Sequence, residues 1–236
     1  MIRAVQLRKR FGRFEALRGV SLQVAQGEVV GLVGPNGAGK TTTLRVLAGL
    51  LKPSGGYAEV LGVRTDSPEF RRVKRWLAYL PEEVMPYDNL TGRAFIEFIH
   101  GLYGVDNMKE AVELSGLGPR VDDKIKTYSK GMRRRLVVAA LLTVGARVLL
   151  LDEPTSGVDV LHAVEIRRAV KEYARSRGAA VMYSSHNMLE VQTVCDKVYF
   201  IDRGVIVDSG TPAELLQRYG AADLEEAFVK ALRRHA

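Results

Sequence analysis

The feature that most constrains this chain is a continuous apolar run that leads directly into a glycine-rich loop. The run is Val29–Val33, and an unbroken apolar stretch is typical of a strand buried on both faces of a parallel sheet. The loop that follows matches the pattern G-x-x-x-x-G-K-[ST] at every position. A helical pattern over 40–50 comes next and ends before the breaker-rich turn at 52–56. The sequence therefore predicts a strand, a phosphate-binding loop and a helix in immediate succession.

The glycine-rich loop predicts a nucleotide site. Glycines let backbone N–H groups surround phosphate oxygens, and the positive end of the next helix points at the same group. Lys40 would place a point charge on the β- and γ-phosphates, and the Thr41 hydroxyl would bind Mg²⁺. We expect ATP to be bound by the following residues: Gly34, Pro35, Asn36, Gly37, Ala38, Gly39, Lys40, Thr41 and Thr42.

A second apolar strand pattern, at 148–151, ends in two carboxylates, Asp152 and Glu153. Ligands of open α/β sheets bind at the carboxyl ends of the strands, so we expect both side chains to lie beside the phosphate loop. Asp152 is expected to hold Mg²⁺ through its outer shell. Glu153 is expected to act as the general base that polarises the attacking water. Together with the loop, this pair predicts hydrolysis of ATP.

The order of strand and helix patterns predicts an α/β fold. We expect a P-loop NTPase core with a mainly parallel sheet, an antiparallel N-terminal β part and an inserted α-helical subdomain. Alternating apolar and polar residues at 20–24 indicate the antiparallel part, and the runs 197–202 and 205–208 indicate a hairpin. A capping box that starts at Thr211, with Pro212 at the first helical position, predicts a helix near the end of the chain.

These patterns predict a single domain of 236 residues. Its expected parts are a core at 1–86 and 144–210, a helical insert at 87–143 and a C-terminal helical tail at 211–236.

The composition is that of a globular protein with anionic partners. The net charge of +8 favours a nucleotide or an acidic lipid as partner. We interpret the basic runs 71–75 and 133–135 as solvated faces and expect no nucleic acid partner.

The one cysteine, Cys195, suits a reducing compartment, and we expect it to be a small buried apolar residue. The longest apolar run, 136–146, is too short to span a membrane and is followed by Arg147.

The motifs together resemble the nucleotide-binding domain of ATP-binding cassette (ABC) transporters, from end to end of the chain. The segment 128–132, Tyr-Ser-Lys-Gly-Met, stands where this family has its signature, usually Leu-Ser-Gly-Gly-Gln. Ser129 is expected to cap the apolar helix that follows and, with Gly131, to face an anion. The resemblance implies that this anion is the γ-phosphate of ATP on the glycine loop of a second subunit.

Three further family positions have counterparts in the sequence. The resemblance implies that Asp159, in a D-loop at 156–159, acts across the same dimer interface. It also implies that His186 is the switch histidine that contacts the γ-phosphate. Phe11 stands where a family aromatic stacks on adenine; hairpin packing is the alternative, and Phe14 is a competitor for the role.

The Q-loop position departs from the family pattern, because Glu82 replaces the usual glutamine. A carboxylate can still bind Mg²⁺ as a hard oxygen ligand, but when ionised it cannot donate a hydrogen bond. It also adds negative charge near the phosphates. We expect Glu82 to contact the metal or the attacking water. The apolar segment after it, 84–87, predicts either a contact for a permease or a small core beneath a loop.

The resemblance implies an ATPase subunit that pairs head to tail, as a homodimer or a heterodimer, on a separate integral-membrane permease at the cytoplasmic face of the cell membrane. The Pro81-Glu82 pair, the signature and the tail at 224–228 resemble efflux subunits for drugs, antibiotics or lipids. A subunit of an ABC importer is the alternative, and a non-transport cassette that acts on nucleic acid or ribosomes is another. A P-loop kinase or GTPase would not explain the signature, the D-loop and His186 together.

Overall fold

The structure is a computed structural model that describes residues 1–235, and this range contains ten strands and eight α-helices. The strands are β1 (Ile2–Phe11), β2 (Phe14–Val24), β3 (Val29–Val33), β4 (Gly55–Val60), β5 (Val63–Arg64), β6 (Leu77–Leu80), β7 (Val148–Asp152), β8 (Ala180–Ser185), β9 (Lys197–Asp202) and β10 (Val205–Gly210). The helices are α1 (Lys40–Leu47), α2 (Gly92–Tyr103), α3 (Met108–Ser115), α4 (Lys130–Leu142), α5 (Val160–Arg177), α6 (Met188–Val194), α7 (Pro212–Tyr219) and α8 (Leu224–His235).

Six strands form a mainly parallel sheet in the order β10-β9-β3-β8-β7-β6. All neighbouring strands are parallel except β9 and β10, which form the predicted hairpin. Because β3, β6, β7 and β8 run in one direction, their carboxyl ends meet at a single edge. That edge carries Gly34 after β3, Glu82 after β6, Asp152 at the end of β7 and His186 after β8.

The N-terminal part forms a second, antiparallel sheet of four strands in the order β2-β1-β4-β5. The alternating residues 20–24 belong to β2, and Val20, Leu22 and Val24 are its buried positions there. The predicted α/β fold class, with a mainly parallel sheet, an antiparallel N-terminal part and helices between strands, is confirmed.

Alternate residues of the parallel sheet enter two separate apolar clusters. In β7, Leu149 and Leu151 belong to a cluster with residues of α2 to α8, whereas Val148 and Leu150 belong to one with α1 and the antiparallel sheet. Each cluster contains more than twenty buried residues, so both faces of the sheet are covered. The strands that carry the site are therefore held on both sides.

Three α-helices, α2 to α4, two short 3-10 helices and no strand lie between β6 and β7 in the described chain. Two of the α-helices begin at a capping residue: the Thr91 hydroxyl accepts a hydrogen bond from Ala94 N at 3.1 Å, and the Ser129 hydroxyl accepts one from Met132 N at 3.2 Å. The predicted cap at Ser129 is thus confirmed. The limits 87–143 for a helical subdomain stay a prediction, because these helices share one apolar cluster with the sheet.

One of the two basic runs is not a solvated face, and that part of the interpretation was wrong. Arg134 is 2% exposed and Arg135 is 9% exposed, whereas the basic residues of 71–75 are exposed. Consecutive helical residues point in directions about 100° apart, so a run of three on α4 cannot lie on one face. Arg135 donates from Nε to the carbonyl of Ser115 at 2.8 Å.

The C-terminal part packs back on the sheet. The capping box is present as predicted, since Thr211 and Glu214 exchange hydrogen bonds at the start of α7. Phe228 of α8 meets Phe200 of β9 edge to face, with ring centroids 5.2 Å apart. Cys195 is buried, as predicted, and its burial raises the pKa of the thiol well above its ordinary value. Within residues 1–235, no helix combines the length and apolar character that crossing a membrane requires.

Candidate nucleotide site

The glycine loop turns from the end of β3 into the start of α1. Gly37 and Gly39 have φ angles of 81° and 111°, in the left-handed region that side chains rarely adopt. Gly34 needs glycine for a different reason: a Cβ atom there would lie 2.0 Å from the carbonyl oxygen of Ile201 in β9. The loop therefore has the backbone shape that a phosphate cradle requires, and β9 supports it from behind.

Lys40 is the first residue of α1 and is only 6% exposed. Its ammonium donates to the carbonyl oxygens of Gly34, at 2.7 Å, and Pro35, at 3.2 Å. It also lies 3.9 Å from Oε1 of Glu153. Burial lowers the pKa of Lys40, while the nearby carboxylates of Glu153, Asp152 and Glu82 act in the opposite direction. The charge is thus held inside the cleft, where it acts on a bound phosphate with little screening by water.

Asp152 ends β7 and is fully buried. The hydroxyl of Ser184 donates to its Oδ1 atom, while Oδ2 makes no hydrogen bond with any described residue. Burial raises the pKa of Asp152, and the neighbouring hydroxyls of Ser184 and Thr41 oppose that rise. A buried carboxylate oxygen without a protein partner, next to a threonine hydroxyl, is the type of ligand that Mg²⁺ prefers. The residues present therefore fit the expected metal.

Glu153 follows Asp152 in a left-handed conformation, with φ at 51°. Its N–H donates to the carbonyl of Ser184 at 3.1 Å, which fixes this turn against β8. One carboxylate oxygen, Oε1, lies 2.9 Å from Nδ1 of His186, and the hydroxyl of Ser185 is 3.5 Å from Oε2. Burial raises the pKa of Glu153, whereas its hydrogen bond with His186 lowers it. Such a carboxylate is suited to accept a proton from water.

Lys40, Asp152 and Glu153 line one cleft of about 410 Å³, whereas His186 lies outside its lining, so the contact of His186 with a γ-phosphate stays a prediction. The cleft brings together residues from the glycine loop, the Q-loop position and the end of β7, as the sequence predicted for them. The lining residues are Phe14, Ala16, Asn36, Gly37, Gly39, Lys40, Thr41, Thr42, Glu82, Asp152 and Glu153.

The aromatic expected over adenine is better matched by Phe14 than by Phe11. Phe14 is 65% exposed and lines the cleft. Phe11 is outside that lining, and the ammonium of Lys9 lies 5.1 Å from the centre of its ring. Stacking on adenine by Phe11 stays a prediction, and the geometry favours its competitor.

The signature residues lie outside this cleft. Ser129 is exposed at the start of α4, and Gly131 packs so closely on the D-loop that a Cβ atom would be 2.7 Å from the carbonyl oxygen of Gly157. Asp159 is exposed and caps α5: it accepts a hydrogen bond from His162 N at 3.2 Å, and His162 Nδ1 lies 2.7 Å from its other oxygen. The roles predicted for Ser129, Gly131 and Asp159 in binding ATP across a dimer therefore stay predictions.

Two exposed apolar side chains follow Glu82. Met85 is 87% exposed and Tyr87 is 60% exposed, and the Tyr87 ring meets Phe98 of α2 edge to face at 5.6 Å. Val84 and Pro86, by contrast, point inward. The segment 84–87 thus fits both interpretations in part: Met85 and Tyr87 offer an exposed apolar surface, and Val84 and Pro86 pack beneath it.

Arg134 is the site residue that the sequence did not reveal. Its guanidinium donates to backbone carbonyls of Pro81, Glu82 and Asp152, so it reaches the Q-loop and the end of β7 from α4. A signal was present: Arg134 lies four residues before Val138 and seven before Leu141, both buried on α4.

Comparison with known proteins agrees with this geometry. The family model described as "ABC transporter" matches residues 17–156. The linearmycin resistance ATP-binding protein LnrL of Bacillus subtilis is 34% identical over 99% of this chain and 79% of its own length. The lipopolysaccharide export system ATP-binding protein LptB of Acidithiobacillus ferridurans is 35% identical over 92% of both chains. Several other curated relatives are longer proteins, and this chain spans between 59% and 66% of their length.

Solved structures show the same fold. A structure titled "Structure of ATP binding subunit of ABC transporter" superposes with a TM-score of 0.88 at 26% identity, over 98% of this chain and 99% of that one. The dimeric structure of the bacterial ABC transporter cassette MJ0796 superposes with a TM-score of 0.82 at 21% identity, over 89% of this chain and 98% of that one. With the cleft, the family model and the relatives in agreement, this chain belongs to the ATP-binding subunits of ABC transporters and is an ABC ATPase.

Proposed function

We propose that this ATPase powers export of a small molecule or a lipid through a separate membrane permease. The observation that carries the proposal is the loop that holds Glu82 in the nucleotide cleft and, three residues later, exposes Met85. A group that reaches the nucleotide and an apolar surface that suits a partner thus belong to one short segment. A movement of Glu82 on nucleotide binding would change the surface offered to the permease.

The chain's own groups account for the hydrolytic step. A γ-phosphate in the cleft would lie near the Lys40 ammonium, whose positive charge stabilises the negative charge that develops on the phosphate oxygens. Glu153 would accept the proton of the attacking water, and His186 holds that carboxylate from its exposed side. Mg²⁺, when held by Thr41, Asp152 and Glu82, would neutralise charge on the phosphates.

A second ATP-binding subunit would complete the site. Ser129 caps α4 and leaves that helix N-terminus exposed outside the cleft, so its N–H groups are available to an anion on another chain. The dimeric cassette MJ0796 supports this arrangement by its fold. Paired head to tail, two chains would bury two ATP molecules between a glycine loop and a signature helix. Attached to the permease, the pair would lie at the cytoplasmic face of the cell membrane.

The names of relatives support export rather than import. LnrL is named for resistance to linearmycin, and LptB for export of lipopolysaccharide. Importer subunits share the catalytic residues and remain the alternative. The direction can be measured in membrane vesicles that contain the chain and its co-purified permease, with an amphiphilic fluorescent dye as the probe. ATP-driven uptake into inverted vesicles supports export; uptake into right-side-out vesicles alone supports import.

The permease contact has its own test. The double variant Met85→Asp, Tyr87→Asp should lose the permease on purification and keep the basal ATPase rate of the isolated chain. Leu50→Asp, which changes an exposed leucine just after α1, is the matched control and should retain the permease. Loss of permease and ATPase activity together would mean that this segment is part of the core. A soluble complex with nucleic acid in the native source would contradict the transporter function.

A further inference from the structure

Arg134 is among the largest fully buried side chains of the protein. It lies on α4, five residues after the helix cap at Ser129, and its side chain enters the space between α4 and the edge of the parallel sheet that carries the site. A guanidinium stays charged in proteins, so burying one costs free energy unless acceptors surround it. Its acceptors are backbone carbonyls of the Q-loop and of the end of β7.

The guanidinium bridges two segments that are far apart in sequence. Nη1 donates to the Pro81 carbonyl at 2.9 Å and approaches the Asp152 carbonyl at 3.5 Å. Nη2 makes a short hydrogen bond with the Glu82 carbonyl. The first two of these contacts fix the Q-loop backbone relative to the end of β7. The planar fork of arginine can hold several acceptors at once, whereas lysine is a point charge on a flexible stem.

The same guanidinium is the buried cation that faces the carboxylates of the metal end from α4. Burial lowers the pKa of Arg134, and the charges of Asp152, Glu153 and Glu82 oppose that shift. Lys40 faces the same three carboxylates from the glycine loop. Two buried cations therefore lie close to this carboxylate cluster: Arg134 contacts the backbone of Glu82 and Asp152, and Lys40 Nζ lies 3.9 Å from Oε1 of Glu153. With the usual glutamine at position 82, the cluster would carry one negative charge fewer.

We propose that Arg134 is a positioning residue for the ATPase reaction, which ties the Glu82 loop to β7 and balances the extra negative charge of Glu82 beside the phosphates. Because Arg134 belongs to the helix that begins at Ser129, the Glu82 loop and the signature end of α4 are linked through one side chain. The proposal concerns the ATPase site and does not depend on the direction of transport.

Two variants separate charge from geometry. Arg134→Met keeps the length of the side chain and removes the charge, so we expect binding of a fluorescent ATP analogue in EDTA to weaken about tenfold. Arg134→Lys keeps the charge but cannot bridge the same carbonyls. For it we expect analogue binding within about twofold of wild type and a kcat about tenfold lower, with KM little changed.

The charge role is tested against Glu82→Gln. In that background one carboxylate is already neutral, so Arg134→Met should weaken binding of the analogue in EDTA by only about threefold. Equal fold-changes in the two backgrounds would overturn the charge role. A normal kcat in Arg134→Lys would overturn the positioning role.

Arg133→Met is the matched control on the same helix. It removes an equal charge one residue earlier, but its side chain pairs with Asp88 at 3.1 Å and is partly exposed. We expect less than about a twofold change in binding of the analogue. An effect as large as that of Arg134→Met would mean that the general positive field, not Arg134, is responsible. If Arg134→Met does not fold, Arg134→Gln, which removes the charge but keeps a hydrogen-bond donor, replaces it in both backgrounds, and Arg134→Lys still tests the positioning role.

Discussion

The Nδ1 atom of His186 lies 2.9 Å from Oε1 of Glu153, and the two side chains differ sharply in exposure, at 61% and 8%. The buried carboxylate is therefore held from the solvent side by an imidazole and from the cleft side by the ammonium of Lys40. Both contacts use the same oxygen atom, Oε1. Among the described residues the other oxygen, Oε2, has a single long contact, with Ser185 at 3.5 Å, and it is the better placed of the two to accept a proton.

Glu153→Gln should abolish turnover while leaving nucleotide binding intact. The amide retains the shape of the side chain but cannot act as a general base, a role worth about 10²-fold to 10⁴-fold in rate. With ATP and Mg²⁺ the variant should elute as a dimer on a sizing column, because the bound ATP is not consumed. A variant that remains monomeric under these conditions would contradict the dimeric site for the isolated chain.

The same substitution should raise thermal stability in a pH-dependent way. Burial raises the folded-state pKa of Glu153, so its ionised form is disfavoured in the folded chain and destabilises it at neutral pH. That loss is recovered as the pH falls through the raised pKa toward the unfolded value, about 4.3. We expect the melting temperature of nucleotide-free Glu153→Gln to exceed that of wild type at about pH 8, with a smaller difference at about pH 5. Glu172→Gln, which changes an exposed carboxylate on α5, is the control. The difference between its melting temperature and that of wild type should be the same at both pH values.

Gly34→Ala should damage both the fold and the nucleotide site. The new methyl group would lie 2.0 Å from the Ile201 carbonyl oxygen, so β9 and the loop must separate. Such overpacking costs about 1–3 kcal/mol or more, and binding of ATP should fall with it. Gly101→Ala is the control: it lies in α2 with no atom within 4 Å of the new methyl group, and should stabilise the chain by about 0.5–1 kcal/mol. Equal stability of both variants in urea would refute this argument.

Ser184→Ala should impair the metal end of the site. It removes the hydroxyl that donates to Asp152, and both Ser184 and Asp152 are fully buried. Removing a hydrogen-bond donor from a buried carboxylate lowers the free energy of unfolding by about 1–3 kcal/mol. We expect a higher Mg²⁺ concentration for half-maximal ATPase activity as well as a lower unfolding midpoint. Ser176→Ala, whose hydroxyl bonds to a carbonyl on the exposed side of α5, should change neither quantity.

The sequence predicted the cleft well because its main residues follow strands. Glu82 comes just after β6, Asp152 ends β7, and Lys40 follows β3 through the glycine loop. Parallel strands bring those ends together whatever the detailed packing is, so local patterns were enough. The caps at Ser129 and Thr211 were predictable for a similar reason, since a helix N-cap depends on a hydrogen bond to a residue three positions later.

What could not be predicted depends on contacts between distant segments. Arg134 belongs to a run of like residues, and only the docking of α4 on the sheet decides which of them is buried. The choice between Phe11 and Phe14 depends on how the β1–β2 hairpin lies over the cleft, and that pairing contains irregular steps. The left-handed turn at Glu153 is likewise imposed by its bond to β8.

The contact of Gly131 with the Gly157 backbone has a consequence for evolution of the assembly. Neither the signature turn nor the D-loop can change shape alone, since there is no room for even a methyl group between them. In the head-to-tail pair proposed above, a subunit that diverges from its partner would therefore have to change both segments together. Compensating substitutions in the signature and the D-loop would then indicate a pair that has become a heterodimer.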